Sequence, residues 1–146
     1  MINEIPKEIR ALSWKQPYAS LMLYGKIETR TWNTRYRGKV LICASKQPYS
    51  IKDTRLISGH MVTENMIKHN VDANLYGKAI AIGDLVAVRP MQPKDEEKCM
   101  VKYNPYLWCH VYENVQPIIP FDWKGTQGWK TLSEEEISKI QILNSN

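Results

Sequence analysis

The sequence predicts an α+β fold, a small mixed β-barrel of about six strands with two to three peripheral helices, and three observations carry it. Apolar runs of strand length recur along the chain, of which KVLICAS at 39–45 and AIAIGDLVAVR at 79–89 are the clearest. The connections between them are short and polar or glycine-bearing, and no βαβ repeat is present, which favours a mixed barrel over a parallel sheet. The length of 146 residues suits a single domain spanning 1–146 with one well-filled core.

The elements follow in order. Ile9 to Trp14 reads as a first strand that Gln16-Pro17 ends; a proline at a first helical position gives up no useful donor, so a helix starts there. Ala19, Met22 and Leu23 form its buried stripe, and Gly25 stops it. A second strand covers about Ile27 to Asn33, and alternation sets Glu28, Arg30 and Trp32 on one face, Ile27, Thr29 and Thr31 on the other. A carboxylate, a guanidinium and an indole facing the same way make either one wall of a pocket or a surface strand with a cross-residue ion pair. NTRYRG at 33–38 reads as a turn between antiparallel strands, and Lys39 to Ser45 as a central strand buried on both faces.

Pro48 to Asp72 is a peripheral excursion, a lid in one reading, with a helix near Thr63 to His69. Within Ala79 to Arg89, Gly83-Asp84 breaks the apolar run, and a lone aspartate there needs a partner or a task; a bulge with a hydrogen-bonded carboxylate is the simpler account. PKDEEK at 93–98 reads as a solvated loop tip. Tyr106 to Val115 alternates, with Tyr106, Trp108, His110 and Tyr112 on one face, and His110 is read as a satisfied strand histidine. Pro117 to Pro120 forms a short edge strand. Lys124 to Trp129 is a glycine-spaced loop that lacks the spacing and the Lys-Ser/Thr pair of a phosphate-binding P-loop. Ser133 with Glu136 is a capping box, and it opens a C-terminal helix whose Ile137, Ile140 and Leu143 face the core.

Composition narrows the function. Twenty Lys and Arg against fifteen Asp and Glu give a formal charge of +5, a balance that favours phosphate-bearing ligands or polyanions. Five Trp and eight Tyr against one Phe supply aromatic rings with polar tips, suited to pocket rims and binding surfaces. Cys43, Cys99 and Cys109 make no CxxC pair and no histidine stands at ligand spacing, so neither a disulfide framework nor a metal or other cofactor is expected, and a reducing, cytoplasmic setting is. MINEIPKEIR has no apolar core for a secretory signal, and no stretch approaches the roughly 18–20 apolar residues of a membrane span, so no membrane partner is expected.

Several motifs recur in order along nearly the whole chain: Ala11-Leu12-Ser13 leading to Gln16-Pro17-Tyr18-Ala19; Gly25 and Lys26 ahead of Glu28-Thr29-Arg30-Thr31-Trp32; Tyr36-Arg37-Gly38 entering the strand that ends Ala44-Ser45-Lys46; Trp108 with Glu113-Asn114-Val115 and Pro117; and Lys124-Gly125 with Gln127-Gly128. On these the chain resembles the ASCH domain, a member of the PUA-like superfamily. The resemblance implies a β-barrel with helices around it and a cleft lined by the Lys, Glu and Arg of the second strand, taking RNA or nucleotide-like ligands. Some small relatives are amidohydrolases that remove an acyl group from the exocyclic nitrogen of acylated cytidine, using a Lys, a Thr and an acidic residue on a later strand. By position these correspond to Lys26, Glu28 in place of the Thr, and Asp84. Lys26 follows Gly25 directly and precedes Glu28 by two residues, a shorter turn than the family pattern; within the strand it would share the Glu28 face.

Two functional classes follow. In the first, single-stranded RNA or a nucleoside-type small molecule enters the cleft, with Gln16, Pro17, Tyr18, Arg30, Trp32, Tyr36, Arg37, Lys46 and Trp108 as ligand-binding residues. Trp32, Trp108 and Tyr36 would offer stacking faces, Trp32 and Trp108 being barrel core in the other reading, and Lys15, Arg37, Lys39 and Lys46 would meet phosphates. In the second, a metal-independent amidohydrolase uses Lys26, Glu28 and Asp84 as catalytic residues, one of them acting as base or nucleophile while a cation steadies the oxyanion.

Overall fold

The computed structural model describes residues 8–47 and 59–143. Its framework is one mixed sheet of six strands in the order β2-β5-β4-β3-β1-β6. Strands β1 (Arg10–Trp14) and β3 (Gly38–Ala44) lie side by side and parallel, with Trp14 opposite Ala44. The long strands β4 (Lys78–Pro90) and β5 (Trp108–Asp122) continue it antiparallel, β2 (Glu28–Arg30) closes one edge against β5, and β6 (Lys130–Thr131) closes the other against β1. β4 and β5 run for 13 and 15 residues, far beyond the usual five or six. Their pairing shifts register at three places, and such bulges bend long strands and raise their twist.

The apolar run of β3 explains why this strand is central. Val40, Ile42 and Ala44 pack on one face with Leu12, Trp14, Met22 and Leu85, while Leu41 and Cys43 pack on the other with Ile9, Ala11, Ile82 and Ile118. A strand buried on both faces needs apolar residues at every position. Fully burying each of the larger aliphatic side chains contributes about 1.5–3 kcal/mol.

The sheet curls into a half-barrel. Although β2 and β1 stand far apart in the strand order, Arg30 Nη2 on β2 donates to the Ser13 carbonyl on β1 at 3.1 Å. The Trp32 ring just after β2 meets Trp129 just before β6 edge-on, 5.9 Å between centroids. The helices are short: α1 (Tyr18–Leu21), continued by a 3-10 turn over Met22–Tyr24; α2 (Gly59–His69); α3 (Glu96–Cys99), entered through a 3-10 turn over Pro93–Asp95; and α4 (Glu134–Ser138). Gly25 ends the first of these with a φ of +87°, in the left-handed region that glycine enters without steric cost.

The α+β class, the six strands and most element positions agree with the sequence reading, and the differences have physical causes. The turn at 33–38 does not join neighbouring strands, because β5 occupies the place beside β2 and β1 and β4 flank β3. Pro117 to Pro120 is no separate edge strand but the continuation of β5, its prolines sitting where the β4 register slips. PKDEEK is not a solvated loop tip: Asp95 is 5% exposed and takes a bidentate contact from Arg89, at 2.7 and 2.8 Å. The helix near Thr63 begins earlier, at Gly59, while residues 48–58 of that excursion lie outside the described residues. The capping box is present, Ser133 Oγ accepting from the Glu136 amide, and Ile137 and Ile140 pack on the core, but Leu143 lies beyond α4 and is exposed. Leu21, passed over in the sequence reading of the first helix, is fully buried, and β6 was not foreseen.

Candidate functional site

Where β1 and β3 end side by side, with the Ser45 amide donating to the Trp14 carbonyl at 2.8 Å, the curl brings β2 over them. The space between is a cleft of about 420 Å³ lined by Ser13, Trp14, Lys15, Tyr18, Lys26, Glu28, Thr29, Arg30, Ser45 and Val101. Five residues foreseen for the site, Lys15, Tyr18, Lys26, Glu28 and Arg30, converge here.

The wall is organised by one carboxylate between two cations. Glu28 Oε1 accepts from Lys26 Nζ at 3.2 Å and from the Thr29 amide at 3.1 Å, and Glu28 Oε2 pairs with Arg30 Nη2 at 2.9 Å. Lys26 sits in the turn before β2, so its direction is not set by strand alternation; its long stem nevertheless brings the ammonium to the Glu28 side. That ammonium also donates to the Ile27 carbonyl at 3.1 Å and lies 5.4 Å from the centre of the Tyr18 ring. The Arg30 guanidinium lies over the Trp14 ring at 5.1 Å, a cation–π arrangement. The Lys26 and Glu28 side chains are 2% and 9% exposed and that of Arg30 is 22% exposed. Burial pushes the Glu28 carboxyl up, but the Lys26 and Arg30 charges, with the Lys26 and Thr29 hydrogen bonds, outweigh it and hold the carboxyl below its ordinary range. Glu28 is therefore ionised at neutral pH. With Lys15 the lining carries three cations against one carboxylate, so it favours an anionic or acceptor-rich guest.

The other expected residues lie elsewhere. Asp84 does not line the cleft; it stands opposite Lys39 in the β3–β4 register, beside the bulge, and its carboxylate pairs with Lys39 Nζ at 2.7 Å. Gln16 is 1% exposed and bonded to Ser20 and to the Leu75 carbonyl, and with Pro17 it borders a second cavity against α2. Trp32 packs against His110 and Trp129, and Tyr36 packs against the same Trp129 and donates its hydroxyl to the Lys39 carbonyl. Arg37 folds onto the carbonyls of Thr34 and Tyr36 in its own turn. Trp108 stands opposite Arg30 in the β2–β5 register but does not line the cleft, and Lys46 lines a third cavity. His110 is fully buried and neutral: burial lowers its pKa, and its Nε2 lies 2.9 Å from the Trp32 carbonyl, which makes that nitrogen the proton-bearing one.

Trp14, Ser13, Ser45, Thr29 and Val101 were not picked out from the sequence as cleft residues. The signal available for the first three is positional, since all sit at the carboxyl ends of the two parallel strands, where open α/β sheets also bind ligands. Val101 follows α3, and the Lys98 carbonyl of that helix accepts from the Ile27 amide at 3.0 Å, so α3 buttresses the Lys26 turn from behind. Among the described residues no three His, Cys, Asp or Glu side chains come together as a metal site, and no helix is long and apolar enough to cross a membrane.

No family model and no curated protein matches the chain. Solved structures do: the ASCH protein of Zymomonas mobilis superposes with a TM-score of 0.58 at 13% identity, over 90% of this chain and 92% of that one. A single-residue mutant of the same protein superposes with the same score and identity, over 91% and 96%. At 13% identity the likeness speaks for architecture alone, and on it the chain has an ASCH-type fold.

Proposed function

We propose that the cleft binds a nucleoside-type ligand, either free or as an unpaired base of single-stranded RNA. The observation that carries this reading is the wall itself: a Lys26–Glu28–Arg30 triad, its Lys26 and Glu28 buried, with excess positive charge, beside the half-buried Tyr18 ring in a space that suits one nucleoside. Arg30 and Lys15 supply donors and charge for base carbonyls or phosphate oxygens, and Tyr18 and the Arg30 guanidinium plane, backed by the buried Trp14 ring, supply stacking surface in place of the Trp32 and Trp108 expected from the sequence. Stacking of this kind is worth about 1–3 kcal/mol per base. Glu28 acts as organiser, since both its oxygens are engaged in holding the two cations apart and aimed. Salt-titrated binding of short single-stranded RNAs and of free nucleosides is the test. Saturable binding that Arg30→Ala weakens at least tenfold supports the reading, and its absence at low salt refutes it.

A second reading, hydrolysis of the acyl amide of an N4-acylated cytidine, draws on the 3.2 Å contact between the Lys26 amine and the Glu28 carboxylate in one cleft. Water would add to the amide carbonyl, and collapse would release the carboxylic acid and cytidine. Asp84 has no part in it, being paired with Lys39 outside the cleft. Incubation with N4-acetylcytidine followed by chromatography for cytidine decides; turnover that survives Lys26→Ala removes this site from the reaction.

A further inference from the structure

Immediately beyond the cleft the chain builds a second cationic recess. Ser45 lines the cleft and its neighbour Lys46 lines a separate cavity of about 320 Å³ with Tyr76, Gly77, Asp122, Trp123 and Lys124. The two spaces thus flank one peptide at the end of β3. The floor of the recess is tied down by backbone bonds: the Gly77 amide donates to the Ala44 carbonyl at 2.9 Å, and the Trp123 amide to the Gly77 carbonyl at 3.0 Å. Gly77 has a φ of +64°, and a Cβ there would stand 2.8 Å from Lys46 Cγ, so the Lys46 stem lies along bare backbone. The single carboxylate of the recess, Asp122, is already paired with Lys78, and that pairing, followed by the Lys46 charge, holds it below its ordinary range. Lys46 and Lys124, both exposed, make no ion pair among the described residues.

We infer that Lys46 and Lys124 form a backbone-phosphate subsite for the same single-stranded RNA whose unpaired base enters the cleft, so that the partner of this surface is an oligonucleotide and not a free nucleoside. The inference rests on the cleft reading and extends it. An isolated nucleoside leaves unused two ammonium groups on the adjoining rim that make no ion pair among the described residues, whereas a strand leaving the cleft past Ser45 carries its phosphates over them. Lysine suits this role, being a mobile point charge that follows a phosphate without dictating sequence.

The test compares a nucleoside monophosphate with a mixed-sequence single-stranded RNA octamer on the full chain, using wild type, Lys46→Ala/Lys124→Ala and Arg30→Ala. Both lysines are exposed, so the double variant should fold, and a circular dichroism melt checks it. The expected result is octamer binding weakened about tenfold or more at 0.1 M salt, with the slope of log K against log salt reduced by about 1.4, and monophosphate affinity unchanged. Unaltered octamer affinity and slope in the folded double variant overturn the inference, as does an equal loss for the monophosphate. Should Arg30→Ala leave both ligands bound while the double variant loses the octamer, the cleft reading falls and the phosphate subsite stands. A wild-type chain that binds no octamer overturns both.

Discussion

Replacing Glu28 by glutamine is the sharpest probe of the cleft, because the substitution keeps the shape and deletes the one charge that two buried cations share. In the wild type the Lys26 ammonium, with its side chain 2% exposed, faces Glu28 Oε1 at 3.2 Å, and Arg30 faces Oε2 at 2.9 Å. In Glu28→Gln the ammonium keeps neutral acceptors alone, the Ile27 carbonyl and the glutamine amide oxygen, plus the Tyr18 ring at 5.4 Å, and loses its counter-charge. Leaving a buried charge without its partner costs about 3–5 kcal/mol, against a total stability on the order of 5–15 kcal/mol. With an unfolding entropy of about 2.1 cal/mol/K per residue, that loss lowers Tm by about 10–15 °C for a chain of this length. Lys26→Met should cost less, since Glu28 then retains Arg30 and the Thr29 amide. The double variant Lys26→Met/Glu28→Gln should recover part of the Glu28→Gln loss, giving a coupling energy of about 1–3 kcal/mol in the double-mutant cycle. Thermal and urea melts of the four proteins measure it. A Tm drop below about 3 °C for Glu28→Gln, or strict additivity in the cycle, would refute the account of the triad.

The pH dependence of stability separates two groups. His110 is buried with its pKa lowered from 6.5, chiefly by burial, so below pH 6.5 the unfolded chain binds more protons than the folded one, and stability should fall as the pH drops through that range. Glu28, with a folded pKa below 4.5, contributes stability that is fully present above 4.5 and lost as the pH falls through its folded value. Urea titrations from pH 7.5 to 3 should therefore show a decline beginning near 6.5 that steepens below 4.5, and Glu28→Gln should make the acid part shallower without abolishing it, since Asp95, Asp122 and Glu136 are also held below their ordinary range. Asp95→Asn removes the charge and the bidentate geometry that hold Arg89 and weakens the acceptor of the Gln92 amide, now at 2.8 Å; because the Arg89 side chain is 37% exposed and can turn to water, the expected cost is about 1–3 kcal/mol. An unchanged urea midpoint would show that the buried Asp95 does not hold α3 in place.

What could be read from the sequence was chemistry confined to a few consecutive residues. The apolar run of β3, the glycine that ends the first helix and the Ser133–Glu136 capping box each state their structure locally, and each is found where expected. Asp84 and Asp95 show the opposite case. The neighbours of Asp84 pointed to a bulge with a bonded carboxylate, which the structure has, while the resemblance put it in the catalytic set, and Asp95 was read as part of a solvated run; the partners of both, Lys39 and Arg89, are brought up only by strand register and chain folding. Lys26 was foreseen for the cleft but its direction was not: in a turn, a stem of four methylenes decides where the charge goes, and alternation has nothing to say about it.

The cleft and the curl of the sheet are held by the same contacts, and this is why a strand as short as β2 matters so much. Three residues paired to β5 at Trp108, Cys109 and His110 give β2 few ladder hydrogen bonds with which to fix its position. Its attachment to the far side of the sheet comes instead from side chains: Arg30 donating to Ser13 and covering Trp14, and Trp32 meeting Trp129. Arg30 can reach across only if its charge is compensated on the near side, which Glu28 does, and Glu28 can stay ionised in a buried place only between two cations. Removing any one member should therefore loosen the edge strand as well as discharge the cleft. In such variants loss of ligand binding and loss of the Trp32 packing should appear together, whereas changes at Lys46 and Lys124, outside this closure, should alter binding of the strand alone.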